Sequence, residues 1–577
     1  MSAVATMPAG ARGRRAPLKD ALKVGLVFGA VAVYIAVVGI LPMFDKRWIV
    51  VGVVSLGQAA LIAIALGAGA ATVLRSPALK PLSAAAAGLV AGGVAGLLLA
   101  LLALAMQNLP LRRIFIALSP ILLRTLTFGL GAPLGGPILI AAAAVLGAIG
   151  AAMALAPPRV RDPLLIGLAF VVVFGVFQEL IQIILQSNPA ADAVRQAFYS
   201  WEGLEPGGAA AIFLLASAGA ALWMAAPRAG LGGAVAGLSL RRQSQARALQ
   251  ALGLVALLVL MPVLAGSYIG QVMLLVGLYM LMGTGLNLEV GLAGLLDLGF
   301  VAFFAVGAYA TALLTADSSH ALASYTPLPS LSFWAAAPIA VLASVVVGVL
   351  FGIPVLGVRG DYLAVATMGL GEIVRVIVQS DMAAPVLGGA QGILQIPKPR
   401  VGAFELADPV DLFYLTLIAS GFAAYCAWRL ENSRLGRAWM AVRDDEDVAQ
   451  ALGVNLVEVK LLAYGLGAAF AGLAGSIFAV MLTSVYPSSF QLLVSINVLA
   501  LIIVGGLGSL PGVVVGAVAL VGLPELLREF GEYRYLFYGV ALIAMMRFKP
   551  EGLWPSPVRR RELRAAAAAT AGERAEP

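Results

Sequence analysis

Apolar runs of roughly 18 to 25 residues recur along the whole chain, each long enough for a helix to cross a hydrocarbon core of about 30 Å. No alternation of apolar and polar positions at a period of two accompanies them, so they predict helices and not a barrel. Up to residue 247 the runs fall near 24–41, 49–74, 84–105, 134–156, 163–186 and 208–226, about six spans. The run 111–130 holds Arg112, Arg113 and Arg124, and reads as an interfacial or re-entrant helix. After residue 248, spans are expected near 249–266, 269–285, 333–357, 361–379, 411–429, 460–482, two around 505–508, and 534–547. One further stretch, 285–314, is too apolar for water yet holds Asn287, Glu289, Asp297 and five glycines. A broken, polar middle of this kind suits a transport path, because irregular backbone at membrane depth survives only where protein or a water-filled cavity covers it. The pattern as a whole predicts an all-α polytopic membrane helical bundle of about sixteen crossings with one broken or re-entrant segment.

Composition agrees with that class. Of 577 residues 61% are hydrophobic and 11% charged, against about 25% charged in a soluble domain. The net charge of +8 comes from short basic clusters between apolar runs, where the positive-inside rule expects them, so nucleic acid is not implied as a partner. The single cysteine, Cys426, excludes an internal disulfide, and the single histidine, His320, has no ligand cluster beside it. The basic start before the first apolar run resembles a signal, but without a clear cleavage site it reads as an uncleaved first span. With the basic loops inside, both termini are expected in the cytoplasm. No lysine precedes Ser or Thr, so there is no Walker A site and ATP chemistry would need another chain. Neither a metal cluster nor a catalytic histidine is present, and no cofactor is expected.

Residues 226–250, rich in arginine, glycine and serine, read as a cytoplasmic linker. They separate a first membrane block, 1–247, whose role the sequence leaves open, from a second, 248–555, and 556–577 reads as a partly disordered cytoplasmic tail. In the second block, Gly291 and Gly294 weaken the helix around Asn287 and Glu289 and free backbone groups toward a solute. Asp297 is costly at depth unless it faces a cavity or a partner. Glu372 and Arg375 stand three apart on one helix face, as a structural lock or a solute contact. Arg359, Gly360 and Asp361 look like the cap of that helix. The turn-rich loop 382–409, with Gly388, Gly389 and Gln391, could dock an extracytoplasmic partner. Residues 438–452 form an amphipathic helix with Met440, Val448 and Leu452 among acidic residues, stopped at Gly453. Such a helix needs a covering protein unless it is solvated or lies on the membrane surface. Gly467, Ala471 and Gly475 at four-residue spacing let helices approach closely, which reads as packing alone.

The blocks at 285–309 (GLNLEVGLAGLLDLGFVAFFAVGAY), 359–376 (RGDYLAVATMGLGEIVRV), 388–399 (GGAQGILQIPKP), 435–455 (LGRAWMAVRDDEDVAQALGVN) and 548–555 (FKPEGLWP) closely resemble permease subunits of branched-chain amino-acid ABC importers, the LivM-like branch. The resemblance covers about 250–555 and implies a permease fold of that type in the inner membrane, moving branched-chain or related amino acids. It implies a second homologous permease subunit, two ABC ATPase subunits, a periplasmic solute-binding protein and membrane lipid as partners. The solute path would take in Asn287, Glu289, Gly291, Gly294, Asp297, Glu372 and Arg375. The charged loop would be the coupling helix, with Arg437, Arg443, Asp444, Glu446, Asp447, Ala449 and Gly453 at the ATPase. Val448 departs from the E-A-A-x-x-x-G signature, Gln391 stands where Asn is expected, and Asp297 stands where some relatives carry a neutral residue. Related permeases serve urea, amides and aromatic acids, which keeps those solutes open. A secondary transporter driven by ions is the reading from another class, with Asp297, Glu289 and Glu372 lining its path; a membrane-embedded enzyme would need clustered catalytic residues.

Overall fold

The structure is a computed structural model that describes residues 17–76, 80–186, 191–225, 253, 256–316, 330–355, 357–358, 361–531 and 533–556. The expected linker, His320, Arg359, Gly360 and almost all of the tail lie outside the described residues. The chain divides into two compact units, Met1–Ala248 and Leu249–Pro577, and the described residues fold as a multi-pass helical membrane protein.

In the first unit, helices Pro17–Val38, Leu56–Arg75, Pro81–Asn108, Ala132–Leu155 and Pro206–Ala225 are long and apolar enough to span a bilayer. The expected span 163–186 is instead a pair, Pro158–Val176 and Gln178–Gln186, bent by 71°. Small residues join the middle three helices. A Cβ on Gly88 or Gly92 would overlap backbone of Gly147 or Ala143, and one on Gly69 would overlap Gly147, so the backbones touch directly, as small residues permit in lipid. The expected span from 49 starts later. Trp48–Val50 pairs with Val54–Ser55 in a hairpin, and Ser55 caps helix Leu56–Arg75, its Oγ accepting from Gln58 N–H at 3.1 Å. Residues 111–130 hold only a 3-10 turn, Leu111–Arg113, and a helix of eight residues, Pro120–Thr127, too short to cross.

In the second unit two spans form the centre. Ser267–Leu292 and Leu456–Leu482 have 61% and 67% of their most apolar windows buried. Helix Val301–Thr315 packs against the second of these backbone to backbone, since a Cβ on Gly307 would overlap Gly472 and one on Gly475 would overlap the Phe304 carbonyl. Phe333–Val355, Asp361–Gln379, Pro409–Glu431 and Leu492–Gly505 surround that core. The loop after residue 382 is pinned to the end of Leu456–Leu482. Ile393–Leu394 pairs with Ser484–Val485, and Lys398 Nζ donates to the Met481 carbonyl at 3.0 Å.

Eleven helices among the described residues are long and apolar enough to cross, or twelve if the bent pair is one span. The expected count of about sixteen is not reached among the described residues. Some apolar runs make shorter helices: Val301–Thr315 and Leu510–Leu526, with Tyr533–Phe548 at 16 residues. Of the expected span 249–266, Ala256–Ala265 is described and helical. A hydropathy window sums apolar side chains across a break in backbone hydrogen bonding and so counts a broken helix as a full one.

Candidate functional site

Helix Ser267–Leu286 widens into a π turn, Asn287–Leu292, and regular helix resumes only at Val301. The break is held from outside. Asn287 Oδ1 accepts from the Gly508 N–H at 2.9 Å. The carbonyl of Gly291 accepts from Arg443 Nη1 at 2.8 Å, and a side chain at Gly291 would run into Asn287 and Gly508. Gly294, at φ +73°, lies directly against the Arg443 stem. That combination of left-handed backbone and close approach admits only glycine.

Glu289 and Asp297 are brought together by the same break, their carboxyls within hydrogen-bonding range of each other. They are 0% and 1% exposed, and no cavity described in the structure is lined by either. Asp297 Oδ1 accepts from the Gly299 N–H at 2.7 Å. Thr367, one span away, accepts the Leu298 N–H at 3.0 Å and fixes the next residue. Gly467 sits where a Cβ would overlap Glu289 Oε1. Its role is to admit a carboxyl, so reading the 467–471–475 spacing as packing alone was incomplete.

Glu372 and Arg375 pair as expected from their spacing, Arg375 Nε donating to both Glu372 oxygens at 2.9 and 3.0 Å and Nη1 to Gln379 at 3.0 Å. They do not join Asp297. Helix Asp361–Gln379 turns Leu363, Ala364, Thr367 and Gly371 inward and leaves Gly369, Glu372 and Gln379 exposed. The helix thus carries a polar stripe on the outer face of an otherwise apolar span.

The single helix expected at 438–452 is two, Arg434–Asp444 and Glu446–Ala451. Asp445 is extended at the joint, and its carboxylate caps the second helix by accepting from Val448 N–H at 3.0 Å. An N-cap residue must leave helical geometry, so it breaks the first helix in starting the second. Arg443 turns inward to the broken element. Glu446 pairs with Lys460 at 2.8 Å, the lysine side chain being 5% exposed, and Ala449 is buried. Trp439, fully buried, donates from Nε1 to the Val459 carbonyl at 2.8 Å. Arg437, Asp444, Asp447 and Gly453 lie on the surface, with Val448 54% and Leu452 80% exposed among them. Gly453 ends the segment at φ +90°.

Three participants escape sequence reasoning. The turn 505–509 reaches Asn287 through Gly508, and residues 553 and 554 hold that turn, Leu553 N–H donating to Val504 O and Trp554 N–H to Gly505 O, each at 2.8 Å. Gly506 and Gly552 meet where neither has room for a Cβ. The motif at 548–555 was visible in the sequence, but its target was not. The third is Tyr464, 2% exposed, whose hydroxyl has no hydrogen-bond partner.

The family described as "Branched-chain amino acid transport system / permease component" matches residues 268–546. The chain is similar to the high-affinity branched-chain amino acid transport system permease protein LivM of Escherichia coli K12, 38% identical over 56% of this chain and 79% of that one. Its counterpart in Salmonella typhimurium is 40% identical over 48% of this chain and 68% of its own length. The permease protein LivH of the Escherichia coli system is 29% identical over 22% of this chain and 42% of its own. No solved structure matches the chain. With the broken element inside the matched region, the chain belongs to the family of branched-chain amino acid transport permeases.

Proposed function

We propose that the chain is the transmembrane permease subunit of an ABC importer that carries branched-chain or related amino acids across the inner membrane. ATP is hydrolysed on two separate ATPase subunits, a periplasmic binding protein delivers the solute, and a second, homologous permease completes the path. Similarity to both LivM and LivH, two permease proteins of one system by name, supports the paired arrangement. The termini lie in the cytoplasm in this reading.

The observation that carries the mechanism is the Arg443–Gly291 hydrogen bond. The exposed face with Val448 and Leu452 is where an ATPase docks, because an apolar edge among acidic residues needs a protein cover and repels an anionic bilayer. Trp439 and the Lys460–Glu446 pair make these short helices one body with the foot of Leu456–Leu482. A push on that body reaches residues 291–294 directly through Arg443, and the broken element exchanges between two packings. The stripe with Glu372 and Arg375 faces the second permease and the solute between them, since an exposed charged pair on a span is costly against lipid. Solute affinity lies mostly in the binding protein.

Uptake of radiolabelled leucine into cells with and without this chain, repeated after loss of the ATPase partner, tests the proposal. Loss in both cases is the expected result. Uptake that needs the chain but survives without the ATPase means ion-driven transport, and no effect on leucine redirects the solute to urea, amides or aromatic acids.

A further inference from the structure

The Glu289–Asp297 pair is not used in the mechanism above, yet its geometry demands an occupant. Both oxygens of Glu289 and Oδ2 of Asp297 are buried without a hydrogen-bond donor from the protein. The carboxyls are nevertheless within hydrogen-bonding range of each other. Two carboxylates are acceptors only, so this contact is a hydrogen bond only if one of them carries a proton. Without one, two like charges would share a site sealed from water, an arrangement that protein interiors resolve by protonation.

Among the described residues, the surroundings supply no alternative counter-charge. On helix Leu456–Leu482 the facing titratable group is Tyr464, three residues from Gly467 and on the same helix face, with its unpartnered hydroxyl within electrostatic reach of both acids. On helix Arg434–Asp444 the nearby cation is Arg443, engaged with the Gly291 carbonyl and Asp444. Lys460 is engaged with Glu446. Helix Asp361–Gln379 presents the neutral Thr367, and the turn 505–509 carries no titratable side chain. A metal ion has too few ligands, since no group of three or more His, Cys, Asp or Glu side chains able to hold one exists among the described residues. No described cavity touches the pair.

We propose that Glu289 and Asp297 form an intramembrane proton-binding site that holds one proton between the two carboxyls, and that this proton locks the broken element in the packing seen here. The proton sits on Glu289, whose oxygens have no other donor, and Glu289 donates to Asp297, whose other oxygen already accepts from Gly299. Loss of the proton leaves two facing anions, which drives residues 287–299 out of this packing. The proposal deepens the permease reading by adding a proton to one of its two packings.

The test uses the purified full-length chain in lipid nanodiscs and no transport. Infrared difference spectra at neutral pH are expected to show one buried protonated carboxyl band that Glu289→Gln removes. Asp297→Asn should shift or remove it. Hydrogen–deuterium exchange of residues 287–299, corrected for the intrinsic rate, is expected to accelerate at high pH in the natural chain. In Glu289→Gln, which keeps the shape and a donor toward Asp297, that acceleration should be absent. A natural chain with no such band, a band untouched by both substitutions, or the same pH response in Glu289→Gln overturns the proposal. Uptake that needs this chain but survives loss of the ATPase would sink the permease reading and leave the band in place, so the two are separable.

Discussion

Arg443 and Gly291 lie 152 positions apart in the chain, and a single 2.8 Å hydrogen bond joins the guanidinium of one to the carbonyl of the other. Backbone in a broken helix has carbonyls to spare, and a side chain from a neighbouring element can satisfy one. The same arginine stem closes against Gly294. One side chain therefore touches two positions, three residues apart, within the segment that interrupts the span.

Arg443→Ala should uncouple the transporter. Leucine uptake is expected to fall about tenfold, the size of an ordinary coupling free energy, while the ATPase subunits still co-purify with the chain. Retained uptake in this variant would remove Arg443 from the coupling route.

Gly467→Ala introduces a methyl group where Glu289 Oε1 now sits. Overpacking of this kind costs about 1 to 3 kcal/mol, read as a lower midpoint of thermal unfolding in detergent. Because the clash is with one side chain, Glu289→Ala in the same chain should recover part of the loss. Additive losses in the double variant would mean that the two residues do not meet.

Breaking the Lys460–Glu446 pair should depend on which partner is removed. Glu446→Ala leaves an almost fully buried ammonium without its carboxylate and is expected to cost on the order of 3 kcal/mol. Lys460→Met replaces the buried charge with an apolar chain of similar length and should cost much less. Equal losses in the two unfolding curves would contradict the asymmetry.

Gly453 has open space around its missing Cβ but a φ of +90°. Gly453→Val therefore suffers from backbone conformation and not from a clash, at a cost of about 1 kcal/mol or more for the left-handed geometry. Helix Glu446–Ala451 loses its stop beside the exposed Val448 and Leu452. ATPase association in a pull-down should be lost, and normal assembly would argue against this face as the docking site.

The helices and the oddity of residues 285–300 were legible because both are local properties. A run of apolar residues predicts a span, and Asn287, Glu289 and Asp297 stand out against such a run. What those three residues face was not legible. Asn287 meets Gly508 and Glu289 meets Gly467, partners set by tertiary packing that no local period encodes. Asp297 at depth calls for a cavity or a partner, and its partner is another acid eight positions away, brought near by the break itself. The split of the charged loop at Asp445 left a weak trace, since an aspartate can cap a helix. Among four consecutive acidic residues, however, the pattern did not single one out.

The pairing of residues 553 and 554 with the turn at 504–505 sets an order on synthesis. The turn that binds Asn287 is completed by backbone that leaves the ribosome long after the broken element has entered the membrane. During that interval Asn287 and Gly508 face each other without the clasp that later fixes the turn. The turn that meets Asn287 thus gains its last backbone hydrogen bonds only once the chain has been made as far as residue 554.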